Sequence, residues 1–268
     1  MLKTLLNSVR SITPIQIRNI IYKIGVFFGE SLHYSDLNLT LFPSVNETLK
    51  YLKKWGFQPS LVIDVGAYKG QWTKLFKDIF PESKILMIEG QDSKYNLLKE
   101  VCDSFSGEVI VEIALLGSLD DYKVRFCEME TGSSIFEESS SFARKYSDKY
   151  LSTIDSLLKK YPDFQKVDFL KIDVQGYELE ILKGAKNLIK NTEFILMEVS
   201  LIPINKGCPL ISDVMKFMNE NNFVLLDFCS QIRCQDGSLW QTDLLFVQET
   251  SRFVPTSLLS QVPSGFEI

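Results

Sequence analysis

Residues 61–72 read Leu61-Val-Ile-Asp64-Val-Gly66-Ala-Tyr-Lys-Gly70-Gln-Trp72. The apolar, β-branched beginning of this stretch is typical of a buried strand, and its glycines let the backbone turn sharply into a following helix. In open α/β sheets, ligands bind beyond the carboxyl ends of the strands. We therefore expect a binding site that includes Asp64, Gly66, Ala67, Tyr68 and Gly70.

The carboxylate of Asp64 limits the kind of ligand that fits this site. A nicotinamide cofactor favours a Gly-x-Gly-x-x-Gly loop that cradles its pyrophosphate, and a carboxylate would repel that group. S-adenosylmethionine has no phosphate and carries a sulfonium and an ammonium, so it suits the site better. The alternative interpretation is a plain strand-to-helix turn with an incidental aspartate.

Short apolar runs alternate with helical patterns along the rest of the chain. The further predicted strands are Lys84–Ile88, Val109–Ala114, Phe169–Val174, Phe194–Val199, Phe223–Phe228 and 243–248. Helical patterns occupy residues 71–80, 93–103, 178–189 and 210–221. This alternation predicts an open α/β sheet, mostly parallel, with helices on both faces. No helical pattern separates the last two strands, so we expect that pair to be antiparallel.

Two later strand ends add residues to the same site. Glu89 ends the second strand about 25 residues after Asp64, and an acid in this place can bind both hydroxyls of a ribose. After the third strand, Ala114 and Leu115 leave room for an adenine ring. The alternatives are a surface glutamate before Gly90 and an ordinary strand alanine.

The fourth strand ends in Lys171-Ile-Asp173-Val-Gln175-Gly176-Tyr-Glu178. We expect Asp173 to face the same crevice as the first strand end. Glu178 falls in the first turn of the next helix, where the helix dipole favours a carboxylate with or without a chemical role. A buried lysine is rare without a partner, so we expect Lys171 to pair with an acid such as Glu198.

Composition excludes several classes of protein. The 268 residues are 45% hydrophobic and 24% charged, as in globular proteins, and no apolar run reaches the length of a membrane-spanning helix. Five cysteines without a Cys-x-x-Cys pair support neither a disulfide scaffold nor a zinc site, and they favour a reducing, cytoplasmic location. The net charge is −5, and acids outnumber bases beyond the first 60 residues, so we expect no nucleic-acid partner.

The chain divides into three parts. Residues 1–43 are predicted to form an N-terminal amphipathic helical extension, residues 44–250 the α/β domain, and residues 251–268 a C-terminal tail. Within the domain, residues 121–145 are an insertion or lid loop with a strand at Lys123–Cys127. Three roles are open for residues 1–28, in decreasing order of preference: a cap on the domain, a dimer contact in a homo-oligomer, and peripheral contact with an anionic membrane surface.

Five runs of residues resemble the FkbM family of S-adenosylmethionine-dependent methyltransferases. They are Ile63-Asp-Val-Gly-Ala-Tyr-Lys-Gly70, Gly132-Ser-Ser134, Ser152-Thr-Ile-Asp155-Ser-Leu-Leu158, Leu170-Lys-Ile-Asp-Val-Gln-Gly-Tyr-Glu178 and Leu182-Lys-Gly-Ala185. The last two runs, in this order, are the most specific part of a resemblance that covers residues 45–248. Two positions depart from the family pattern: Gln175 stands where many relatives carry Glu, and Gly90 where many carry Pro.

The resemblance implies a Rossmann-like class I methyltransferase fold, with a seven-stranded, mostly parallel sheet and an antiparallel last strand. It also implies S-adenosylmethionine as the cofactor and O-methylation of a hydroxyl on a carbohydrate or a small-molecule natural product. Residues 44–250 are then the methyltransferase domain. The cofactor-binding residues are Asp64, Gly66, Ala67, Tyr68, Gly70, Glu89, Ala114, Leu115 and Asp173.

A hydroxyl acceptor has a high pKa, so a base at the site would help the reaction. Asp173 is the first choice for the base or a polar anchor, followed by Glu198 and Glu178. A magnesium ion held by Asp173 and Glu198 is the less favoured alternative to a site without metal. The single histidine, His33, lies outside the resemblance, and we expect it to be structural or exposed.

Two other functions compete with methyl transfer. One is a non-catalytic scaffold or binding module with the methyltransferase fold in a biosynthetic pathway, although a scaffold does not need the acids at the strand ends. The other is a nicotinamide-dependent oxidoreductase on a related sheet, which the missing Gly-x-Gly-x-x-Gly loop disfavours. A fold alone does not decide between these functions.

Overall fold

The structure is a computed structural model that describes residues 43–128, 145–203 and 207–255. Its strands are β1 Leu61–Val65, β2 Lys84–Glu89, β3 Val109–Ile113, β4 Leu115–Leu116, β5 Lys123–Glu128, β6 Lys145–Ser152, β7 Phe169–Ile172, β8 Phe194–Ser200, β9 Phe223–Phe228, β10 Ile232–Arg233 and β11 Leu239–Gln248. Its α-helices are α1 Val45–Lys54, α2 Gln71–Ile79, α3 Tyr95–Asp103, α4 Ile154–Leu157, α5 Glu178–Lys183 and α6 Ile211–Glu220. Short 3₁₀ helices lie at Asp92–Lys94, Leu158–Lys160, Pro162–Gln165 and Ile189–Asn191.

The central sheet has the strand order β10-β11-β8-β7-β1-β2-β3, and β9 also pairs with β11. The five strands from β3 to β8 are parallel, whereas β11 runs antiparallel to both β8 and β9. The chain therefore has the predicted Rossmann-like α/β fold with an antiparallel last strand. It adds an eighth strand, the two-residue β10, because β11 begins at Leu239 and its early residues pair with β10.

The strand order places a binding crevice next to β1. From β1 the chain moves to β2 and β3 on one side, and it later returns to β7 and β8 on the other side. The helices on the two sides thus diverge at the carboxyl ends of β1 and β7. This is the switch point at which open α/β sheets bind ligands.

Apolar side chains on both faces of the sheet form the core. Along β1, Ile63 and Val65 pack with residues of α4, α5 and α6, whereas Val62 packs on the other face with residues of α1, α2 and α3. Successive strand residues point to opposite faces, so a strand with apolar residues on both faces is covered on both sides. The predicted helices on both faces are confirmed.

The predicted insertion at 121–145 contains more regular structure than a loop. Strand β5 confirms the strand predicted at Lys123–Cys127, and β6 pairs with it in antiparallel register. Strand β4 pairs with β6, so the three form a second, small sheet. Residues 129–144 of the insertion lie outside the described residues.

Several predicted boundaries also change. Helix α5 ends at Lys183 rather than 189, since Gly184 follows it and the chain then turns. The predicted extension at 1–43 falls almost wholly outside the described residues, so that prediction stays untested. Of the tail, residues 251–255 are described, and Phe253 packs against Phe57 and Phe194 of the core. None of the described helices has both the length and the apolar character needed to cross a bilayer.

Candidate functional site

A cleft lies at the carboxyl ends of β1, β2 and β7. Its volume is about 830 Å³, counting the part that is open to solvent. Six of the residues that the sequence predicted for cofactor binding line it: Gly66, Tyr68, Glu89, Ala114, Leu115 and Asp173. The fold therefore brings together residues from four strand ends, of which the first and the last are more than 100 positions apart in the chain.

The missing side chain of Gly66 is what allows two strand ends to meet. Gly66 has a φ of +74°, and a Cβ atom on it would lie 1.8 Å from the carbonyl oxygen of Asp173. Gly70, with a φ of +72°, precedes α2, and a Cβ there would lie 3.0 Å from Val101 Cγ2. Gly70 and Ala67 do not line the cleft; they shape the turn beneath it.

Asp64 also lies beneath the cleft rather than on its wall. Its side chain has no exposed surface. Thr73 donates a hydrogen bond to Asp64 Oδ2 at 2.7 Å, and Lys171 Nζ lies 3.1 Å from Asp64 Oδ1. These contacts fix the end of β1 from below. They also balance the charge of Asp64 within the protein.

The prediction that Lys171 pairs with an acid is confirmed, but Glu198 is not the partner. Among the described residues the carboxylate contacts of Lys171 are Asp64 and, at 3.6 Å, Asp173, and it also donates to the carbonyl oxygen of Gly66 at 2.9 Å. The reason is the register, because Lys171 lies directly beside Asp64 in the β1–β7 pair. Burial lowers the pKa of Lys171, but the two carboxylates outweigh burial, and the pKa lies above the ordinary lysine value.

Glu89 forms the opposite rim of the cleft. Its side chain is almost fully buried. The backbone N–H of Tyr68 donates to Glu89 Oε2 at 2.7 Å, and that of Gln91 donates to Oε1 at 2.9 Å. Each carboxylate oxygen can accept a second hydrogen bond. The two loops therefore hold this carboxylate in one orientation while it keeps capacity for a ligand.

An apolar wall joins Glu89 to the small sheet. It consists of Ala114, Leu115 and, from β5, Phe126. Lys149 of β6 donates to the carbonyl oxygen of Gly90 at 2.6 Å and so fastens the small sheet to this wall. Phe126 and Lys149 were missed from the sequence, although Phe126 is the one aromatic residue in the predicted strand Lys123–Cys127.

The close neighbours of position 90 explain why a glycine fits there. A Cβ on Gly90 would lie 2.9 Å from Leu115 Cδ1 and 3.5 Å from the ring of Phe126. A larger residue would push both side chains away from their present positions. Glycine in place of the family's usual proline therefore leaves room for the side chains of Leu115 and Phe126 in the wall of the cleft.

The third side of the site is a group of carboxyl and amide side chains. Gln175 Nε2 donates to Asp173 Oδ1 at 3.2 Å and to Glu198 Oε1 at 3.0 Å. Gln241 Nε2 donates to the same oxygen of Glu198 at 2.7 Å. Asp173 and Gln175 line the cleft, and Glu198 lies behind them. The two amides hold Glu198 in place on one oxygen.

Asp243 completes this group and was missed from the sequence. It lies directly opposite Glu198 in the β8–β11 pair. Burial raises the pKa of Asp243. Burial also raises the pKa of Glu198, and the carboxyls of Asp173, Glu178 and Asp243 raise it further. The signal in the sequence was the polar run Gln241-Thr-Asp243 inside an otherwise apolar strand.

Glu178 shapes the loop that carries Asp173. Its Oε1 accepts the backbone N–H groups of Val174 at 3.0 Å and Gly176 at 3.1 Å. Burial raises the pKa of Glu178 to about 7, although these two hydrogen bonds lower it. Glu178 does not line the cleft, so its position suits a supporting part better than direct contact with a ligand.

The remaining motifs of the family lie away from the cleft. Asp155 accepts the backbone N–H groups of Asn187 at 2.8 Å and Leu188 at 3.1 Å. A Cβ on Gly184 would lie 2.2 Å from the carbonyl oxygen of Gly117. These residues therefore join α4 and the end of α5 to neighbouring loops. Gly132-Ser-Ser134 lies outside the described residues.

Within the described ranges, no three His, Cys, Asp or Glu side chains converge as metal ligands. The two acids that the sequence singled out for a magnesium ion, Asp173 and Glu198, are bridged by the amide of Gln175. An amide nitrogen between two carboxylates occupies the place that a shared cation would take.

A family model and a curated relative both identify this chain as similar to methyltransferases. Residues 64–225 match the family model described as the Methyltransferase FkbM domain. Methyltransferase sdnD of Sordaria araneosa is 26% identical over 153 residues, which are 46% of this chain and 59% of that protein. The match thus spans less than two thirds of that curated relative.

Two solved structures of methyltransferases are similar to this chain at lower sequence identity. Precorrin-6y C5,15-methyltransferase of Geobacter metallireducens GS-15 is 10% identical with a TM-score of 0.44, covering 76% of this chain and 89% of that one. Ribosomal protein L11 methylase of Lactobacillus delbrueckii subsp. bulgaricus is 12% identical with a TM-score of 0.43, covering 75% and 77%.

Proposed function

The chain belongs to the FkbM methyltransferase family, and on this premise we propose that it is an S-adenosylmethionine-dependent O-methyltransferase. Its acceptor in this proposal is a hydroxyl on a carbohydrate or a small-molecule natural product. The observation that carries the proposal is the cleft itself, in which Glu89 and Asp173 face one space at the switch point of the sheet.

The side chains of the cleft fit this cofactor by their chemistry. Glu89 can accept hydrogen bonds from two ribose hydroxyls, and the wall of Ala114, Leu115 and Phe126 offers an apolar surface to adenine. Asp173 would attract the cationic end of the molecule. When bound, S-adenosylmethionine supplies an electrophilic methyl group on its sulfonium.

The backbone of the β1 loop disfavours a pyrophosphate in the same place. The N–H groups of Gly66 and Ala67 both donate to the carbonyl oxygen of Ile88, at 2.9 and 3.2 Å. The next N–H, that of Tyr68, donates to Glu89. A dinucleotide site needs such N–H groups to point at phosphate oxygens. This hydrogen bonding therefore counts against the oxidoreductase alternative.

Asp173 is the proposed base or polar anchor for the acceptor hydroxyl. Gln175 holds its Oδ1, and Lys171 lies 3.6 Å from its Oδ2. The carboxylate is therefore oriented from two sides, so it can fix the acceptor oxygen and take up the hydroxyl proton as the new bond forms. Holding two reactants in line supplies much of the rate acceleration in a displacement of this kind.

The polar groups near Asp173 support a polyhydroxylated acceptor. Gln175 adds an amide to the cleft wall beside the carboxylate. Carboxylate and amide groups together can both accept from and donate to hydroxyls. We therefore expect neutral carbohydrates and hydroxylated natural products to bind better than anionic acceptors.

Methyl transfer can be tested with methyl-labelled S-adenosylmethionine and a panel of neutral sugars and hydroxylated natural products. We expect label in at least one acceptor, and we expect Asp173→Asn to slow the transfer by about 100-fold or more. Asp163→Asn, at an exposed site in the 3₁₀ helix Pro162–Gln165, is the matched control and should keep wild-type activity. Cofactor binding without transfer to any hydroxyl would favour the non-catalytic binding module.

A further inference from the structure

Gln175 connects the cleft to a carboxyl that lies behind its wall. Its Nε2 reaches Asp173 Oδ1 at 3.2 Å on one side and Glu198 Oε1 at 3.0 Å on the other. Gln175 has a φ of +57° and Gly176 a φ of +100°. A left-handed glutamine carries a strain of about 1 kcal/mol, so the surrounding contacts hold the backbone where the amide spans both acids.

The charges around Glu198 do not balance when every carboxyl is ionised. The acids that face it are Asp173, Glu178 and Asp243, and the cation that faces it is Lys171. Lys171 already pairs with Asp64 and Asp173. One cation cannot offset so many carboxylates in a buried region, and like charges at short range favour the protonated form of one of them.

Glu198 is the carboxyl best placed to keep that proton. Asp243 lies directly opposite it on the neighbouring antiparallel strand. Two amides, from Gln175 and Gln241, already donate to its Oε1, so a proton on the other oxygen completes the group without a clash of donors. Burial and the neighbouring acids raise the pKa of Glu198, in agreement with this assignment.

We propose that Gln175 is a positioning residue that couples the cleft to Glu198, so that the charge entering the cleft beside Asp173 decides whether Glu198 keeps its proton. The inference rests on the proposed function. Glu198 releases its proton to solvent when a sulfonium occupies the cleft, and it keeps the proton when the neutral thioether of S-adenosylhomocysteine is there. Glu198 thus carries a negative charge only while the methyl donor is present.

Calorimetry in buffers of different ionisation enthalpy counts the protons released on binding. S-adenosylmethionine and S-adenosylhomocysteine carry the same α-amino group, so the difference between their proton counts reports the sulfonium charge. For the wild type at neutral pH we expect S-adenosylmethionine to release about half a proton more than S-adenosylhomocysteine. Glu198→Gln, which cannot titrate, should remove most of that difference while both ligands still bind; the remainder comes from Glu178, whose pKa is about 7.

The positioning role of Gln175 is tested with Gln175→Asn. Asparagine tolerates positive φ and keeps the amide, but it is one methylene too short to span both carboxyls. We expect it to reduce the difference in proton count at least by about half. Gln165→Asn is the matched control, since Gln165 donates to the carbonyl oxygen of Leu158 away from the cleft; it should behave as the wild type does.

The outcomes separate the inference from the proposed function. Equal proton counts for the two ligands in the wild type overturn the inference, as does a difference that Glu198→Gln leaves undiminished. A difference that Glu198→Gln largely removes and Gln175→Asn leaves intact overturns the role assigned to Gln175. If folded wild-type protein binds neither ligand, the proposed function itself fails and the inference fails with it.

Discussion

A Cβ atom on Gly66 would lie 1.8 Å from the carbonyl oxygen of Asp173. Gly66 follows β1 and Asp173 follows β7, and these two strands are neighbours in the sheet. The two loops that frame the cleft can approach this closely only where one of them has no side chain. The position of Asp173 in the cleft therefore depends on the residue at 66.

Gly66→Ala should destabilise the chain strongly. We expect it to lower the free energy of unfolding by about 3 kcal/mol or more, because a left-handed backbone and a clash with main-chain atoms act together. Gly237→Ala is the matched control, with a φ of +86° and no heavy atom within 4 Å of the added Cβ. It should cost about 1 kcal/mol in the same urea titration. Equal losses in the two variants would show that the close approach to Asp173 is unimportant.

Lys171→Met should leave the buried charge of Asp64 without its cation. We expect a loss of about 3–5 kcal/mol in the free energy of unfolding. The double variant Asp64→Asn/Lys171→Met should recover much of that loss, since position 64 then carries no buried charge that lacks its partner. Urea unfolding measures both, with Lys216→Met on the exposed side of α6 as the control. A double variant as unstable as the single one contradicts the ion pair as the cause.

The raised pKa of Glu178 predicts that the stability of the chain depends on pH. Its folded pKa of about 7 exceeds the ordinary value of 4.5, so between these values the folded chain binds more protons than the unfolded chain. The free energy of unfolding must therefore fall as the pH rises from about 4.5 to 7. Glu178→Gln removes this titration and keeps an oxygen for the N–H groups of Val174 and Gly176.

The comparison is made by urea unfolding at a series of pH values. Across that range we expect the wild type to lose about 3 kcal/mol more than Glu178→Gln does. Glu220→Gln, on the exposed face of α6, should follow the wild type. Parallel curves for the wild type and Glu178→Gln would mean that Glu178 titrates normally.

Glu89→Gln should weaken the binding of S-adenosylmethionine and of S-adenosylhomocysteine equally. The substitution replaces one acceptor oxygen by a donor, beside the N–H groups of Tyr68 and Gln91 that Glu89 now accepts. We expect the Kd of S-adenosylmethionine and of S-adenosylhomocysteine to rise about 10-fold or more in calorimetry, because both carry the ribose. A change confined to the sulfonium form would place Glu89 near the methyl group instead, and Glu193→Gln serves as the unaffected control.

The sequence predicted the strand ends of the site better than its contacts. Strands such as β1 and β2 consist mainly of apolar residues, and runs of this kind are typical of buried parallel strands. Their carboxyl ends must share one edge of the sheet, so Glu89 and Asp173 could be placed together. Whether a strand-end acid enters the cleft or lies beneath it, as Asp64 does, depends on which face its neighbours cover.

The missed contacts depend on strand register. Lys171 pairs with Asp64 because β7 lies beside β1 in a register that sets the two residues side by side. Asp243 meets Glu198 through the antiparallel register of β11 and β8. Neither register can be read from one sequence. Strand β6 was missed because it reads Lys145-Tyr-Ser-Asp-Lys-Tyr-Leu-Ser152, a polar run whose tyrosines Tyr146 and Tyr150 are exposed.

The most direct test of the account is a calorimetric titration of the wild-type chain with S-adenosylmethionine, beside an identical titration with NADH. We expect saturable binding of S-adenosylmethionine at one site in the micromolar range and no binding of NADH. Saturable binding of NADH together with no binding of S-adenosylmethionine to the folded protein would contradict it, and would mean that the loop after β1 holds a pyrophosphate after all.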